Sequence, residues 1–230
     1  MEDKVEVIFE GLKQKSTTKQ TIYRNTQEVF EKMRLAAAAI VNSLSQKITE
    51  VDSNVIIEYR NINEFEFHIK FSGDLLIFVM HSNVITFQED HELMSNPYVE
   101  EDFRRRFFGH IMAYNFMADS IKYNRMNDPG YLLARILINV ENHYYLEGVS
   151  ELDLEYSDIS KNVVDDKALR LFIESAMVAS VNNDLVAPAI DDIKKISVKQ
   201  KMENQQVSRG QKLGFSFSYE GNSNNFQGMY

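Results

Sequence analysis

The chain has 230 residues with 25 basic and 34 acidic side chains, which give a formal net charge of −9. Hydrophobic residues make up 44% of the sequence and charged residues 26%, a balance typical of a globular domain and not of a disordered or fibrous chain. An acidic surface repels phosphate, which disfavours generic binding to nucleic acid or anionic lipid. The sequence contains no cysteine, which excludes disulfides, a thiolate nucleophile and cysteine-ligated metals.

The first residues are acidic, with Glu2, Asp3 and Glu6 where a secretory signal peptide would be basic. The longest apolar runs, residues 35–41 and 75–80, are far shorter than the roughly 20 residues that span a bilayer. We therefore expect a cytoplasmic protein that does not enter a membrane.

A helical pattern is the first strong signal along the chain. Apolar residues recur at spacings of three and four from Val29 to Val51, which places them on one stripe of a helix. The spacing predicts a helix over residues 24–51. Residues 1–22 are expected to form a loose N-terminal segment.

The hydrophobic period then changes to two. In residues 64–71 every odd position is apolar and every even position is polar, as in a strand with one buried face. Further strands are predicted at residues 55–59, 75–80 and 84–87. The short turns between these four strands favour an antiparallel meander.

Helical spacing returns after Pro97, where Phe103, Phe107, Ile111 and Tyr114 share one stripe. This spacing predicts a helix from residue 97 to about residue 124. The later elements are predicted as a hairpin made of residues 131–146 and 152–156, a helix at 165–183 and a helix at 188–203.

The resulting order is helix, four strands, helix, two strands and two helices. It predicts an α+β fold in which an antiparallel sheet of about six strands carries helices packed on one face. We expect a single domain over residues 1–203 and a flexible C-terminal tail over residues 204–230.

Four polar residues interrupt the apolar strand predicted after Tyr131: Arg135, Asn139, Glu141 and His143. Strand residues two apart point to the same side, so these side chains are predicted to line a shallow polar groove that binds a ligand or a partner. A hydrogen-bonded structural cluster or a solvent-facing strand is the alternative, because buried polar groups are normally paired.

Other catalytic or cofactor signals are weak. Neither a glycine-rich phosphate loop nor a Gly-x-Ser-x-Gly motif occurs, so we expect no cofactor. Residues 89–92 combine three carboxylates with an imidazole, but adjacent turn residues seldom converge on one metal ion, and no metal site is predicted. Glu64, Glu66, His68 and Lys70 on one predicted strand would suit a metal-dependent nuclease, although a soluble amphipathic strand needs the same alternation.

The end of the chain differs in composition. Residues 193–212 contain one acid, Glu203, and six basic residues: Lys194, Lys195, Lys199, Lys201, Arg209 and Lys212. This stretch is the one region suited to an acidic partner, nucleic acid or lipid headgroups, and the equal alternative is a helix that complements the acidic surface of the protein itself. Beyond it an alternating aromatic pattern, which can add as a strand to a sheet edge, is formed by Phe215, Phe217 and Tyr219.

These patterns together predict a non-catalytic, cytoplasmic protein-binding or regulatory module. It is expected to form a homodimer or to bind another protein through its sheet edge and its C-terminal segment. Two alternatives stay open: a metal-dependent hydrolase or nuclease, and a sensor that binds a small ligand between sheet and helices.

Overall fold

The structure is a computed structural model that describes residues 3–148, 150, 152, 154, 158–186, 190 and 211–212. The chain divides into two units, Met1–Asn182 and Asn183–Tyr230. The candidate sites considered below all lie in the first unit. The predicted boundary between residues 203 and 204 lies outside the described residues and stays a prediction.

The first unit begins with a long helical segment. Helix α1, Lys4–Gly11, is followed by one wider π-helical turn, Leu12–Ser16, and by helix α2, Thr17–Val51. The carboxylate of Asp3 accepts a hydrogen bond from the backbone N–H of Val5 and so caps the start of α1. The helix predicted over residues 24–51 is confirmed, and it starts earlier than expected. From Lys4 onward the chain is helical where we expected a loose segment.

Six strands form one antiparallel sheet in which each strand pairs with the next one along the chain. Their bounds are β1, Ile57–Asn63; β2, Glu66–Phe71; β3, Asp74–Met80; β4, Gly109–Met117; β5, Tyr131–Ile138; and β6, Tyr144–Glu147. The α+β class and the six-stranded antiparallel sheet are thus confirmed.

The chain leaves the sheet between β3 and β4, over residues 81–108, which we call the β3–β4 segment. It contains a 3-10 turn, Glu92–Ser95, the short helix α3, Pro97–Glu101, and a second 3-10 turn, Phe103–Arg106. The strand predicted over residues 84–87 is reduced to a single bridge between Ile85 and Phe108.

The helix predicted over residues 97–124 is wrong. Helix α3 ends at Glu101, residues 109–117 form the central strand β4, and only α4, Ala118–Lys122, is helical again. The physical reason is that β4 is apolar on both sides. Periodicity alone does not distinguish such a strand from a buried helix, and pairing with β3 and β5 along almost its whole length decides the outcome.

The predicted hairpin also has other bounds. Strands β5 and β6 pair with each other within residues 131–147, and they are joined by a turn in which Asn142 adopts a φ of +60°, a conformation that asparagine tolerates. Residue 156, in the predicted second strand, lies outside the described residues. The helix predicted over 165–183 is confirmed as α5, Asp166–Val181, whose N-cap is Asp165.

Helices α2 and α5 pack on the same face of the sheet, and aromatic rings join them across it. The ring of Phe30 in α2 lies 5.2 Å from that of Phe67 in β2, which stacks 4.7 Å from Phe78 in β3. Phe78 in turn lies 6.2 Å from Phe172 of α5. These four side chains are buried and form the centre of the core, as large aromatic residues often do.

The opposite face of the sheet is covered over β4, β5 and β6 by the β3–β4 segment. The buried residues that join this segment to the sheet and to the chain beyond β6 are Leu93, Met94, Val99, Phe108, Leu137, Tyr145 and Ile159. Polar clusters lie beside this apolar contact.

Two short strands are described in the second unit. β7, Leu185–Val186, pairs antiparallel with β8, Gln211–Lys212.

Within the described parts of the chain, no helix has the length and apolar character needed to cross a bilayer.

Candidate functional site

Three of the four residues predicted to form a polar groove do come together. Asn139, Glu141 and His143 lie in the turn between β5 and β6, whereas Arg135 lies within β5 and has other partners. Asn139 is fully buried, and its side-chain oxygen accepts hydrogen bonds from the backbone N–H groups of Glu141 at 2.9 Å and His143 at 3.0 Å. Such local bonds fix the turn from inside.

Two residues of the β3–β4 segment, Tyr98 and Arg105, complete this group. The Tyr98 hydroxyl donates to Glu141 Oε2 at 2.7 Å and accepts from Asn139 Nδ2 at 3.0 Å. Arg105 donates to the two carboxylate oxygens of Glu141 at 3.0 Å and 3.2 Å. The Arg105 guanidinium also lies 4.2 Å from the centre of the Tyr98 ring. We call these five residues the Tyr98 cluster.

The protonation states of the Tyr98 cluster match its hydrogen bonds. Burial raises the pKa of Tyr98 to about 12, so the hydroxyl stays a donor at neutral pH. Burial acts to raise the pKa of Glu141, but the hydrogen bonds from Tyr98 and Arg105 outweigh it and hold that pKa below its ordinary value. The carboxylate is therefore charged and acts as the acceptor.

His143 ties the Tyr98 cluster to the chain beyond β6. Its Nδ1 donates to the backbone carbonyl of Ile159 at 2.8 Å, and its ring stacks 4.8 Å from that of Tyr98. The cluster thus joins the β3–β4 segment, the β5–β6 turn and the segment before α5 by mutually satisfied polar groups. This geometry favours the structural alternative for Asn139, Glu141 and His143 over a ligand groove.

Arg135 belongs to a second cluster, formed by His81, His91, His110, Arg135 and Glu147, which we call the histidine cluster. Arg135 Nε donates to Glu147 Oε2 at 2.5 Å across the β5–β6 pair. His91 Nδ1 accepts a hydrogen bond from the backbone N–H of Leu93, which leaves Nε2 protonated and directed at Glu147, 3.8 Å away.

His110 is the most enclosed member of the histidine cluster. His110 is only 6% exposed, and its ring stacks on that of His81 with the two ring centres 4.6 Å apart. Burial, with the positive potential of His81 and Arg135, lowers the pKa of His110 to about 4, against the opposing effect of Glu147. His110 is therefore neutral at physiological pH. Its Nδ1 has no hydrogen-bond partner among the described residues.

The predicted metal-binding alternatives gain no support. In the described part of the chain, no three His, Asp or Glu side chains are arranged to hold an ion. The side chains of residues 89–92 contact different parts of the unit and do not converge on one point. Glu89 pairs with Arg106, and Glu92 accepts a hydrogen bond from the Tyr145 hydroxyl. His91 faces Glu147.

The four residues suggested for a metal-dependent nuclease do not all lie on one strand either. Glu64 lies in the turn before β2 and not on the strand, so the predicted set of four on one strand face is wrong for this residue. His68 Nε2 donates to Glu66 at 2.5 Å within β2. Glu64 instead lines an open, acidic cleft of about 530 Å³ together with Gln27, Glu28, Glu31 and Lys32.

An unpartnered apolar surface lies on the N-terminal helix. Val5, Ile8, Phe9 and Leu12 are 70%, 61%, 54% and 56% exposed, and their spacing places them on one side of the helix. No described residue before Thr18 is buried, so α1 extends beyond the packed part of the unit. We call these four residues the N-terminal stripe.

The predicted C-terminal interaction segment lies almost entirely outside the described residues. This applies to Lys194, Lys195, Lys199, Lys201, Arg209, Phe215, Phe217 and Tyr219. Lys212 is described only as part of the backbone of β8. The proposed role of this segment therefore stays a prediction.

Comparison with protein-family models, curated proteins and solved structures gives no significant match to this chain.

Proposed function

We propose that the chain is a non-catalytic, cytoplasmic protein-binding or regulatory module whose principal contact is the N-terminal stripe. The observation that carries this proposal is the exposure of Val5, Ile8, Phe9 and Leu12, each more than half exposed, on a helix that extends beyond the core. Contiguous exposed apolar residues on a folded protein commonly mark a binding surface.

The helix itself supports the proposal. Most helices in proteins are stabilised by packing of their apolar face, and α1 continues through the π-helical turn into α2 without a break. Helix α1 and the π-helical turn together span Lys4–Ser16 and bury no side chain. A partner that covers the stripe would supply the missing packing. Positions i, i+3, i+4 and i+7 are the contacts that an amphipathic helix presents to a groove or to another helix.

The polar clusters are consistent with the same proposal. In the Tyr98 cluster, Tyr98, Arg105 and Asn139 direct their polar groups at one another or at neighbouring backbone. In the histidine cluster, Arg135 and Glu147 neutralise each other. These contacts hold the β3–β4 segment on the sheet and occupy these polar groups within the unit.

The proposal is tested by affinity capture of a tagged chain from cells that also produce an untagged copy with a distinguishable peptide, so that self-association is detected as well, followed by quantitative mass spectrometry. The wild-type chain is compared with Ile8→Glu/Phe9→Glu and with the matched control Leu35→Glu. Leu35 is a single apolar residue on α2 that is 73% exposed. We expect a partner that the wild type and the control retain and the stripe variant loses. Identical partner profiles for all three chains would contradict the proposal.

A further inference from the structure

We infer that the partner of the N-terminal stripe is a second copy of this chain, and that the two α1 helices pack antiparallel about a two-fold axis between Ile8 and Phe9. This inference rests on the proposed function, because it names the occupant of the same surface. It is argued from the spacing of the stripe, from the distribution of charge along the helix and from the size of the patch.

The spacing of the stripe is symmetric about its centre. From Val5 to Ile8, Phe9 and Leu12 the steps are three, one and three residues. Reversing the helix direction therefore places Val5 opposite the partner's Leu12, and Ile8 opposite the partner's Phe9. A two-fold dimer interface requires this kind of self-complementarity, because the same patch must face itself.

Charge along the helix selects the antiparallel orientation. Residues 3–10 contain three acids, Asp3, Glu6 and Glu10, and one base, Lys4, for a balance of −2. Residues 11–16, which end with the π-helical turn, contain Lys13 and Lys15 and no acid, for a balance of +2. Parallel helices would place like charges side by side, whereas antiparallel helices bring each acidic half against a basic half.

One pair of side chains lies where such an attraction would act. Glu6 follows Val5 directly in the sequence, and Lys13 follows Leu12. Antiparallel packing sets Val5 opposite the partner's Leu12, so Lys13 lies only two residues, or about 3 Å, along the helix axis from the partner's Glu6. In the single chain Lys13 donates to Glu10 at 3.0 Å, and both side chains are well exposed. This exposed pair is worth little and can rearrange on association.

The size of the stripe predicts a reversible dimer. Four side chains on each copy cover less than the roughly 1,200–2,000 Å² of a stable complex. We therefore expect a monomer–dimer equilibrium that depends on protein concentration, and not a permanent dimer.

Sedimentation velocity of the full chain, from about 1 μM to about 300 μM, covers the range in which an interface of this size assembles. We expect dimer to accumulate for the wild type and for Leu35→Glu, and not for Phe9→Glu. The stripe is outside the core, so circular dichroism of the variant should match that of the wild type. A wild-type chain that stays monomeric throughout would overturn the inference, whereas a different protein captured through the stripe would leave the proposed function standing.

Charge variants test the pairing of Glu6 with the partner's Lys13. Glu6→Lys and Lys13→Glu should each weaken the dimer about tenfold, because each places like charges opposite each other at two symmetric positions. The double variant Glu6→Lys/Lys13→Glu, and an equal mixture of the two single variants, should recover wild-type association. A double variant weaker than both single variants would contradict antiparallel packing.

The absence of native cysteine allows a direct test of orientation. Antiparallel packing predicts that Val5→Cys and Leu12→Cys, mixed under mild oxidation, form a disulfide between the two variants, because their Cα atoms come within bonding range. Each variant alone should cross-link at least tenfold less. Efficient cross-linking of Val5→Cys with itself would show parallel helices and overturn the inference.

Discussion

Gly109 at the start of β4 lies directly against Thr26 of α2. A Cβ atom at position 109 would stand 1.9 Å from Thr26 Oγ1 and 3.0 Å from Thr26 Cβ. The Thr26 side chain is buried and its hydroxyl donates to the carbonyl of Ile22 at 2.7 Å, so it has little room to move. This close approach sets the distance between the central strand and the helix that covers it.

Gly109→Ala should therefore lower the free energy of unfolding by about 1–3 kcal/mol, as overpacking of a core usually does. Urea unfolding measures the change. Gly73→Ala is the matched control, because a Cβ atom there meets no neighbour within 4 Å. In the double variant Gly109→Ala/Thr26→Ala the clashing hydroxyl is gone, so the two changes should be non-additive and part of the stability should return. Equal effects of Gly109→Ala and the control would contradict this account.

The same strand shows how far the sequence determines the fold. Alternation in β2 and helical spacing in α2 identify both elements, because each has a buried apolar side and a more accessible polar side. In β4 Ile111 and Ala113 face α2 and α5 while Met112 and Tyr114 face the opposite side, and all four are at least half-buried. Local periodicity does not identify such a strand, because its state depends on pairing with β3 and β5, which are distant in the sequence.

The candidate sites were predictable to different degrees. Asn139, Glu141 and His143 stand out in an apolar stretch, and the structure does bring them together. Tyr98 and Arg105 carry no local signal, because their contacts with Glu141 bridge 43 and 36 residues of sequence. The N-terminal stripe did carry a signal, the spacing of residues 5, 8, 9 and 12. An acidic cap at Asp3 also marked the helix start.

The Tyr98 hydroxyl should contribute measurably to stability. Tyr98→Phe removes the donor to Glu141 and the acceptor for Asn139, and leaves a buried amide without that partner. We expect a loss of about 1–3 kcal/mol in the free energy of unfolding, measured by urea titration at neutral pH. Tyr23→Phe is the control, because no hydrogen bond of the Tyr23 hydroxyl is found among the described residues. A loss no larger than that of the control would show that the hydroxyl is dispensable.

Glu141 should make stability depend on pH at the acidic end. Because the pKa of its carboxyl is lower in the folded chain than in the unfolded chain, its contribution is present above the unfolded pKa and is lost as the pH falls through the folded pKa. Glu141→Gln should therefore be less stable than the wild type at about pH 7, and the difference should shrink toward about pH 3. Urea midpoints at several pH values measure it. A constant difference across this range would contradict the assigned ion pair.

His110 should impose a second pH dependence at a higher pH. The folded-state pKa of about 4 lies below the value of about 6.5 expected in the unfolded chain. Between these two values the unfolded chain binds more protons, so the free energy of unfolding rises with pH. The contribution of His110 is complete above about pH 6.5 and is lost as the pH falls toward 4. The two pKa values limit this contribution to about 3 kcal/mol.

The variant His110→Phe tests this contribution because it keeps an aromatic ring against His81 and has no proton to bind. When the pH is lowered from about 7.5 to about 5, the free energy of unfolding of the wild type should fall. For His110→Phe this fall should be smaller by about 2 kcal/mol. The charged and titratable groups that face His110, namely His81, Arg135 and Glu147, are the same residues in both chains. An NMR titration of the His110 imidazole gives the folded-state pKa directly. Equal losses for the two chains, or a ring that protonates near pH 6.5, would contradict a buried neutral His110.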